Sequence, residues 1–214
     1  MTIVKTCGKL YWAGEYAILE PGQLALIKAI PIYMMAEITA SDGYRLYSDM
    51  FTYSVDLRPD SSYALIQETV ALVEEYLTTQ GVELYPFSIE IRGKMEREGK
   101  KFGLGSSGSV VVLVIKAMLA FYERLADREL LFKLASAVLL KRGDNGSMGD
   151  IACIVSEDLV LYQSFDREKV AHWLEKEDLQ LVLDRDWGFS IESVEPGLEF
   201  DFLVGWTKEV AVSS

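Results

Sequence analysis

The feature that most constrains the fold is a glycine- and serine-rich segment that runs directly into a long apolar stretch. Residues 103–109 read GLGSSGS, and residues 110–121 are apolar at nearly every position. A helix that is apolar on all sides is buried, so the pattern predicts a core helix that begins at a glycine loop. The first amides of such a helix have no partner inside it and lie at the positive end of its dipole. This end of the helix is therefore a candidate anion site.

The residue types around the loop also suit an anion. Three glycines, Gly103, Gly105 and Gly108, allow close approach to the backbone, and the serines add hydroxyls that could bind phosphate oxygens or a magnesium ion. Residues 92–101 carry five basic and two acidic side chains. The segment is not a Walker A loop, because no Gly-Lys-Ser/Thr follows the glycines, and its GxGxxG spacing is a weak dinucleotide signal without a βαβ unit. From the residues alone, a phosphate loop and a simple helix cap both stay open.

The composition limits the kinds of partner. The chain has 21 basic and 33 acidic side chains and a net charge of −12, which argues against a broad nucleic-acid or anionic-membrane surface. Two cysteines, Cys7 and Cys153, cannot form a disulfide framework and are expected to be small buried hydrophobes in a cytoplasmic protein. The single histidine, His172, excludes histidine-rich metal sites and is expected on a helix surface. No secretory signal or membrane span is evident.

Strands and helices mix in the sequence without a regular βαβ alternation, which predicts an α+β fold rather than a doubly wound sheet. Ser61 and Ser62 are expected to cap a helix that ends before Gly81. Further helices are predicted after the glycine loop and over residues 128–141 and 166–177. Strands are predicted over residues 3–10, 32–38, 44–55, 85–91, 159–162 and 200–206.

Three short motifs together resemble a known family. Residues 103–109 look like the second signature of the GHMP kinases, which act on small molecules such as galactose, homoserine, mevalonate and phosphomevalonate. Residues 7–19, CGKLYWAGEYAIL, resemble the first signature, with Cys7 in place of a proline and Tyr16 in place of a histidine. Residues 21–25 and 146–152 are similar to the branch that acts on phosphomevalonate.

The resemblance implies a set of site residues. Lys9 and Asp150 would form the catalytic pair, and Ser147 and Ser213 would join them in binding the substrate. From the residues alone, Lys9 and Asp150 could equally be a salt bridge or two unrelated charges, and Ser147 could be a helix cap. The ATP phosphates would be bound by Lys101, Gly103, Leu104, Gly105, Ser106, Ser107 and Gly108, with the Ser107 hydroxyl on Mg²⁺. Lys101 could instead be a solvated loop charge.

The resemblance also implies a domain arrangement and an activity. Residues 1–195 would form the N-terminal ATP-binding domain, with a ribosomal-protein-like mixed sheet, and residues 196–214 would begin a truncated C-terminal domain. That domain carries a third glycine-rich signature in the family and would be needed to complete the site. The expected reaction is ATP-dependent phosphorylation of the phosphate group of phosphomevalonate. The alternatives are a sibling kinase for mevalonate or homoserine and, in another class, a noncatalytic RNA-binding module.

Overall fold

The computed structural model describes residues 1–93, 95–97, 100–197 and 202–205, with the backbone alone for residues 96, 97, 100 and 101. Helices and strands follow one another irregularly along this part of the chain. The strands are β1 (Thr2–Ala13), β2 (Leu24–Ala40), β3 (Arg45–Ser48), β4 (Ser54–Val55), β5 (Phe87–Arg92), β6 (Glu96–Arg97), β7 (Lys100–Lys101), β8 (Leu159–Gln163) and β9 (Ser190–Ser193). The helices are α1 (Ala64–Thr79), α2 (Ser106–Phe121), α3 (Arg128–Lys141), α4 (Gly149–Ser156), α5 (Arg167–Lys176) and α6 (Leu179–Asp184).

The long strand β2 organises the main sheet. Residues 35–38 of β2 pair with both β1 and β5, and residues 26–28 pair with both β1 and β8. Strand β1 therefore lies along one edge of β2, while β5 and β8 follow each other along the opposite edge. Strands β3 and β4 extend the sheet beyond β5, and β9 extends it beyond β8. Because β3 runs parallel to β5 and the other pairs are antiparallel, the sheet is mixed.

A break in the β1–β2 register decides which side chains of β1 face the core. Cys7 pairs with Tyr33 but Gly8 pairs with Ile30, and Pro31, which has no amide to donate to a ladder, lies within the break. In β2, the buried residues before Pro31 are odd-numbered, namely Ala25 and Ile27. The buried residues after Pro31 are even-numbered, namely Met34, Ala36 and Ile38. The irregularity therefore rotates both strands, so that their two halves present opposite residue parity to the helices.

Helix α2 is the central buried element. Its side chains from Val111 to Ile115 are fully buried, and it contacts β1, β2, α1, α3 and α4. Helix α4 packs against β1, β2 and β8 as well as α2 and α3. The predicted core helix at the glycine loop is thus confirmed, and so is the α+β class. The convergence of α2, α4 and β1 brings the glycine loop, the 144–149 loop and the middle of β1 close together.

Other sequence predictions have mixed outcomes. The strands at 3–10, 85–91 and 159–162 and the helices at 128–141 and 166–177 are confirmed, with small shifts of their ends. The strand predicted at 32–38 is the second half of the longer β2, whose first half was missed. The predicted strand 44–55 is two short strands, and β6, β7, α4, α6 and β9 were not predicted. The strand predicted over 200–206 lies mostly outside the described residues, and residues 202–205 have no regular structure.

The predicted serine cap of α1 is wrong. The backbone of Tyr63 provides the N-cap position, and no side chain of that residue caps the helix. The carboxylate of Asp60 instead accepts hydrogen bonds from the amides of Ser62 and Tyr63, at 2.8 and 3.2 Å. A charged acceptor one residue earlier in the chain thus replaces the serine hydroxyls at the entry to the helix.

Both cysteines are buried and unpaired, as expected. Burial raises the pKa of Cys7 to about 11 and raises that of Cys153 further, so both remain neutral thiols at neutral pH. His172 is exposed on α5, as predicted. Among the described residues, no helix is both long and apolar enough to cross a lipid bilayer.

Candidate active site

Strand β1 holds the glycine loop by a backbone contact. The amide of Lys9 donates a hydrogen bond to the carbonyl of Leu104 at 2.9 Å. A Cβ at Gly8 would lie 3.1 Å from the Cβ of Leu104, which is itself buried. The close approach of strand and loop therefore depends on the glycine that precedes Lys9.

Gly105 sets both the start of α2 and the course of the Lys9 side chain. It has φ +79°, the left-handed conformation that glycine adopts without strain. A Cβ at Gly105 would lie 2.9 Å from Cε of Lys9, so the lysine stem runs directly across the glycine. Because the N-cap residue Gly105 has no side chain, it cannot accept a hydrogen bond from the first-turn amides of α2. The first-turn amides of α2 are therefore oriented towards a site beside the Lys9 side chain.

Asp150 lies where two helices begin. It is in the first turn of α4, and its Oδ1 accepts a hydrogen bond from the amide of Ile151 at 2.9 Å. A Cβ at Gly108 would lie 2.7 Å from Oδ2 of Asp150, so the first turn of α2 packs directly against the carboxylate. Two helix N-termini thus place partial positive charge around Asp150.

The protonation of Asp150 reflects opposing influences. Burial raises the pKa of Asp150, while the positive charge of Lys9 lowers it and the nearby Asp144 raises it. The net direction is upward, because the loss of water around a carboxylate disfavours its charged form. The positive charge of Lys9 is the main influence that opposes burial at this carboxyl. The working pair that the sequence analysis assigned to Lys9 and Asp150 stays a prediction.

Ser147 is held by contacts on three sides. Its Oγ accepts a hydrogen bond from the amide of Gly149 at 3.2 Å and lies 3.0 Å from the hydroxyl of Tyr11. Its carbonyl accepts a hydrogen bond from the hydroxyl of Tyr162 at 2.8 Å. By backbone geometry the N-cap of α4 is Met148, with φ +62°. The Ser147 hydroxyl therefore caps the start of α4 from the residue before the N-cap, whereas the sequence analysis offered Ser147 as the cap itself.

Tyr11 is a site residue that the sequence analysis missed. Its ring also lies beneath the Nζ of Lys9, 4.8 Å from the ring centroid. The signal that could have found it is the two-residue spacing from Lys9, because residues i and i+2 of a strand share a face. That signal can be used only when the strand and its core-facing side are known.

The remaining predicted residues surround this cluster to different extents. Ser106 is partly buried and Ser107 is exposed on the first turn of α2, and Gly103 is exposed in the loop. Lys101 lies in β7, where only its backbone is described, and Ser213 lies outside the described residues. The roles given to all these residues stay predictions.

A small, mostly apolar cavity of about 90 Å³ opens beside the start of α2. Ser106, Ser107 and Val110 form one side of it. The other sides come from the segment after β3 and from the start of α1, namely Ser48, Met50, Phe51, Ser62, Leu65 and Ile66. An apolar space next to a set of helix amides could accept a flat ring that carries a phosphate chain.

The donor groups present bear on the kind of metal that could bind. Within the described part of the chain, no group of three or more His, Cys, Asp or Glu side chains is placed to hold a metal ion. Mg²⁺ differs from most protein-bound metals because it commonly binds through one or two side chains, substrate phosphates and water. The exposed hydroxyl of Ser107, next to amides that suit a phosphate, fits that mode.

Comparisons with known proteins give a family match and a related enzyme. A family model described as the GHMP kinases N terminal domain matches residues 64–158. A phosphomevalonate kinase from Streptomyces sp. (strain CL190) is 27% identical over 234 residues, which cover 98% of this chain and 63% of that protein.

Solved structures give a closer match. The structure of Streptococcus pneumoniae phosphomevalonate kinase in complex with phosphomevalonate and AMPPNP is 75% identical, with a TM-score of 0.98 over 100% of this chain and 65% of that chain. A second structure of the Streptococcus pneumoniae enzyme is 73% identical, with a TM-score of 0.91. The chain therefore spans slightly less than two thirds of the length of these relatives. Its fold, its glycine loop and these similarities show that the chain belongs to the GHMP kinase family and carries the N-terminal domain of that family.

Proposed function

We propose that the protein containing this chain is an ATP-dependent phosphomevalonate kinase. It would transfer the γ-phosphoryl group of ATP to a phosphate oxygen of (R)-5-phosphomevalonate, giving 5-diphosphomevalonate and ADP. The proposal is supported by the 75% identity to an enzyme whose structure holds phosphomevalonate and AMPPNP. The observation that carries it is the meeting of the α2 N-terminus, Lys9 and Asp150 at one point.

The glycine loop and α2 would bind the nucleotide. The amides at the start of α2 would donate to phosphate oxygens, with residues 103–108 close to the triphosphate. The cavity next to Ser106 and Ser107 would contact the base of the nucleotide, because it is mostly apolar and adjoins those amides. Lys101 would add a positive charge beside the phosphates. Mg²⁺, held by Ser107 and the phosphates, would neutralise part of the phosphate charge.

Lys9 and Asp150 would act on the acceptor phosphate. Phosphoryl transfer depends mainly on alignment and on neutralising negative charge between two phosphates. The Lys9 ammonium would supply that charge between donor and acceptor, and the course of its stem across Gly105, beside the α2 amides, supports this role. A phosphate oxygen is already ionised at neutral pH, so Asp150 would orient Lys9 and the substrate rather than remove a proton.

Other parts of the proposal reach beyond the described residues. We assign residues 1–195 to the N-terminal domain and residues 196–214 to the start of the C-terminal domain, which would complete the site. Ser213 would then bring a further hydroxyl to the substrate. A cytoplasmic location is proposed because the substrates are soluble metabolites.

The proposal is tested by ADP release from the full-length protein that contains this sequence, with phosphomevalonate, mevalonate and homoserine as separate acceptors. Turnover should require phosphomevalonate and Mg²⁺, and Lys9→Ala and Asp150→Ala should each lower kcat by about 100-fold or more. Lys5→Ala is the matched control, since Lys5 lies on the same strand but contacts the ring of Tyr33. Normal turnover by both site variants would remove Lys9 and Asp150 from the mechanism.

A hydroxyl acceptor such as mevalonate is the second candidate. The upward pKa shift of Asp150 favours it, because a carboxylate with a raised pKa is a better general base. Higher kcat/KM for mevalonate than for phosphomevalonate would support this candidate and reject the first. The RNA-binding alternative receives no support from the net charge of −12.

A further inference from the structure

One tyrosine of β1 contacts two of the proposed substrate-facing residues at once. The Tyr11 hydroxyl lies 3.0 Å from Oγ of Ser147, and the Tyr11 ring lies under Nζ of Lys9 at 4.8 Å from the ring centroid. These contacts use different parts of the side chain, the hydroxyl and the face of the ring. The hydroxyl contact can therefore be removed while the ring contact is kept.

Gly149 provides the space that the Tyr11 hydroxyl occupies. A Cβ at Gly149 would lie 2.5 Å from the Tyr11 hydroxyl oxygen and 2.8 Å from Cδ1 of Ile27. Gly149 does not have a positive φ, so its backbone conformation does not require glycine. The absence of a side chain at the first residue of α4 is instead explained by the position of Tyr11.

The hydroxyls of Tyr11 and Ser147 leave one hydrogen for a ligand. Burial and the nearby Asp150 carboxylate raise the pKa of Tyr11 well above its usual range, so the phenol keeps its hydrogen. The pair then has two hydroxyl hydrogens, and only one of them is needed for the bond between the two oxygens. When Tyr11 donates to Ser147, the Ser147 hydrogen stays available to an anionic oxygen at the site.

The ring face restrains Lys9 in a different way. An ammonium over an aromatic ring is attracted to the negative face of the ring. The Lys9 stem is already confined on its other side, because it passes Gly105 at a distance that would not admit a methyl group. The lysine is thus held between the ring and the glycine loop, with its charge beside the α2 amides.

We propose that Tyr11 is a positioning residue that holds the Ser147 hydroxyl and the Lys9 ammonium in place for the acceptor substrate. The assignment of these two groups to the substrate rests on the proposed function. Tyr11 itself acts through them, by its hydroxyl on Ser147 and by its ring on Lys9.

Two variants separate the contacts. Tyr11→Phe keeps the ring and removes the hydroxyl, so KM for phosphomevalonate should rise about 5- to 10-fold while kcat and the KM for ATP stay within about 2-fold. Tyr11→Leu also removes the ring, and kcat should then fall by a further factor of about 3 to 30. An unchanged KM in Tyr11→Phe would overturn the proposal, and this variant is the one expected to fold normally.

A matched control lies on the neighbouring strand. Tyr33 of β2 lies under Nζ of Lys5 at 4.5 Å from the ring centroid, and it is exposed. Tyr33→Phe and Tyr33→Leu repeat the same chemical changes at a second lysine–tyrosine pair away from the site. Both should leave KM and kcat unchanged, and a shift equal to that of the Tyr11 variants would count against a specific role of Tyr11.

A double-mutant cycle tests whether Tyr11 acts through Ser147. If it does, Tyr11→Phe should add no more than about 2-fold to the KM of Ser147→Ala, because the hydroxyl that it positions is already gone. A purely structural role predicts that the two KM effects multiply, and that result would reject the coupling.

A crystal structure of unliganded Tyr11→Phe supplies a readout without activity. The Ser147 side chain should leave its present rotamer while Lys9 stays over the ring, and an unmoved Ser147 would contradict the proposal. If the proposed function itself is wrong, the wild-type protein will release no ADP with phosphomevalonate, and this result is distinct from any effect of the Tyr11 variants.

Discussion

At the scale of single residues, Asp150 is a carboxylate whose surroundings favour its protonated form. The first turn of α2 contacts it, and burial raises its pKa more than the charge of Lys9 lowers it. A group whose pKa is higher in the folded than in the unfolded state lowers stability once the pH exceeds both values. Asp150 is therefore expected to reduce the stability of the protein at neutral pH.

Asp150→Asn should make the protein more stable and less active. The amide removes the buried charge, so we expect a gain on the order of 1 kcal/mol at pH 7.5, or about 2–4 °C in Tm. The difference in Tm between variant and wild type should shrink as the pH falls towards the usual carboxyl pKa of 3.8. Thermal unfolding at several pH values measures this.

Asp178→Asn is the matched control for that comparison. Asp178 precedes α6, is exposed, and makes no side-chain cap hydrogen bond. Its replacement should change Tm by less than about 1 °C at every pH. If Asp150→Asn is as stable as wild type or less stable at pH 7.5, the buried charge is better compensated than we infer.

The predictable site residues belong to short motifs, and the missed one does not. Lys9, Gly105, Gly108, Ser147 and Asp150 were found because their motifs resemble a family, and the structure brings them together. Tyr11 lies between recognisable motif positions and has no pattern of its own. Its direction depends on the register break opposite Pro31, which turns Lys9 and Tyr11 to the core side while Lys5 stays exposed. Such a break arises from the pairing of two strands, so it cannot be predicted from the sequence of either strand alone.

At the scale of elements, the entry to α2 combines a backbone requirement and a packing requirement in one glycine. Gly105 needs its positive φ to start the helix and needs its missing side chain to let Lys9 pass. The two requirements can be separated, because other glycines of the chain have only the first. Gly81, after α1, has φ +69° and no atom within 4 Å of a Cβ placed there.

Gly105→Ala should therefore damage both stability and catalysis, and Gly81→Ala stability alone. Each alanine is forced into the left-handed region, which costs about 1–2 kcal/mol. Only at residue 105 must the Lys9 stem also move, so kcat should fall by about 10-fold or more in that variant. Thermal unfolding and steady-state kinetics of the two variants give the comparison. Equal kcat values would show that the position of Lys9 does not depend on Gly105.

Element types were easier to predict than the way elements start. The long apolar run of α2 and the alternation in β5 are clear sequence signals, and both elements form where expected. The start of α4 has no such signal, because the N-cap Met148 is a non-glycine residue with φ +62°. No propensity rule places methionine there, and the contacts of Ser147 with Tyr11, Gly149 and Tyr162 fix the turn instead.

At the scale of the whole molecule, one contact links the last described segment to the strand that carries the site. The ring of Phe202 packs on Trp12 with 4.9 Å between ring centroids, and Trp12 directly follows Tyr11. Residues 202–205 are otherwise exposed. The aromatic pair therefore holds the described residues 202–205 beside β1, the strand that carries Lys9 and Tyr11.

Phe202→Ala should weaken the binding of phosphomevalonate with little effect on folding. Phe202 is 42% exposed, so its loss should change Tm by less than about 2 °C. Because the aromatic contact ties residues 202–205 to the strand that carries Lys9 and Tyr11, its removal should raise KM for phosphomevalonate about 3- to 10-fold and leave KM for ATP unchanged. Leu203→Ala, at a neighbouring position that is 90% exposed, is the control and should behave as wild type. Steady-state kinetics of the full-length protein decide the matter, since a normal KM in Phe202→Ala would mean that the contact with Trp12 has no part in binding phosphomevalonate.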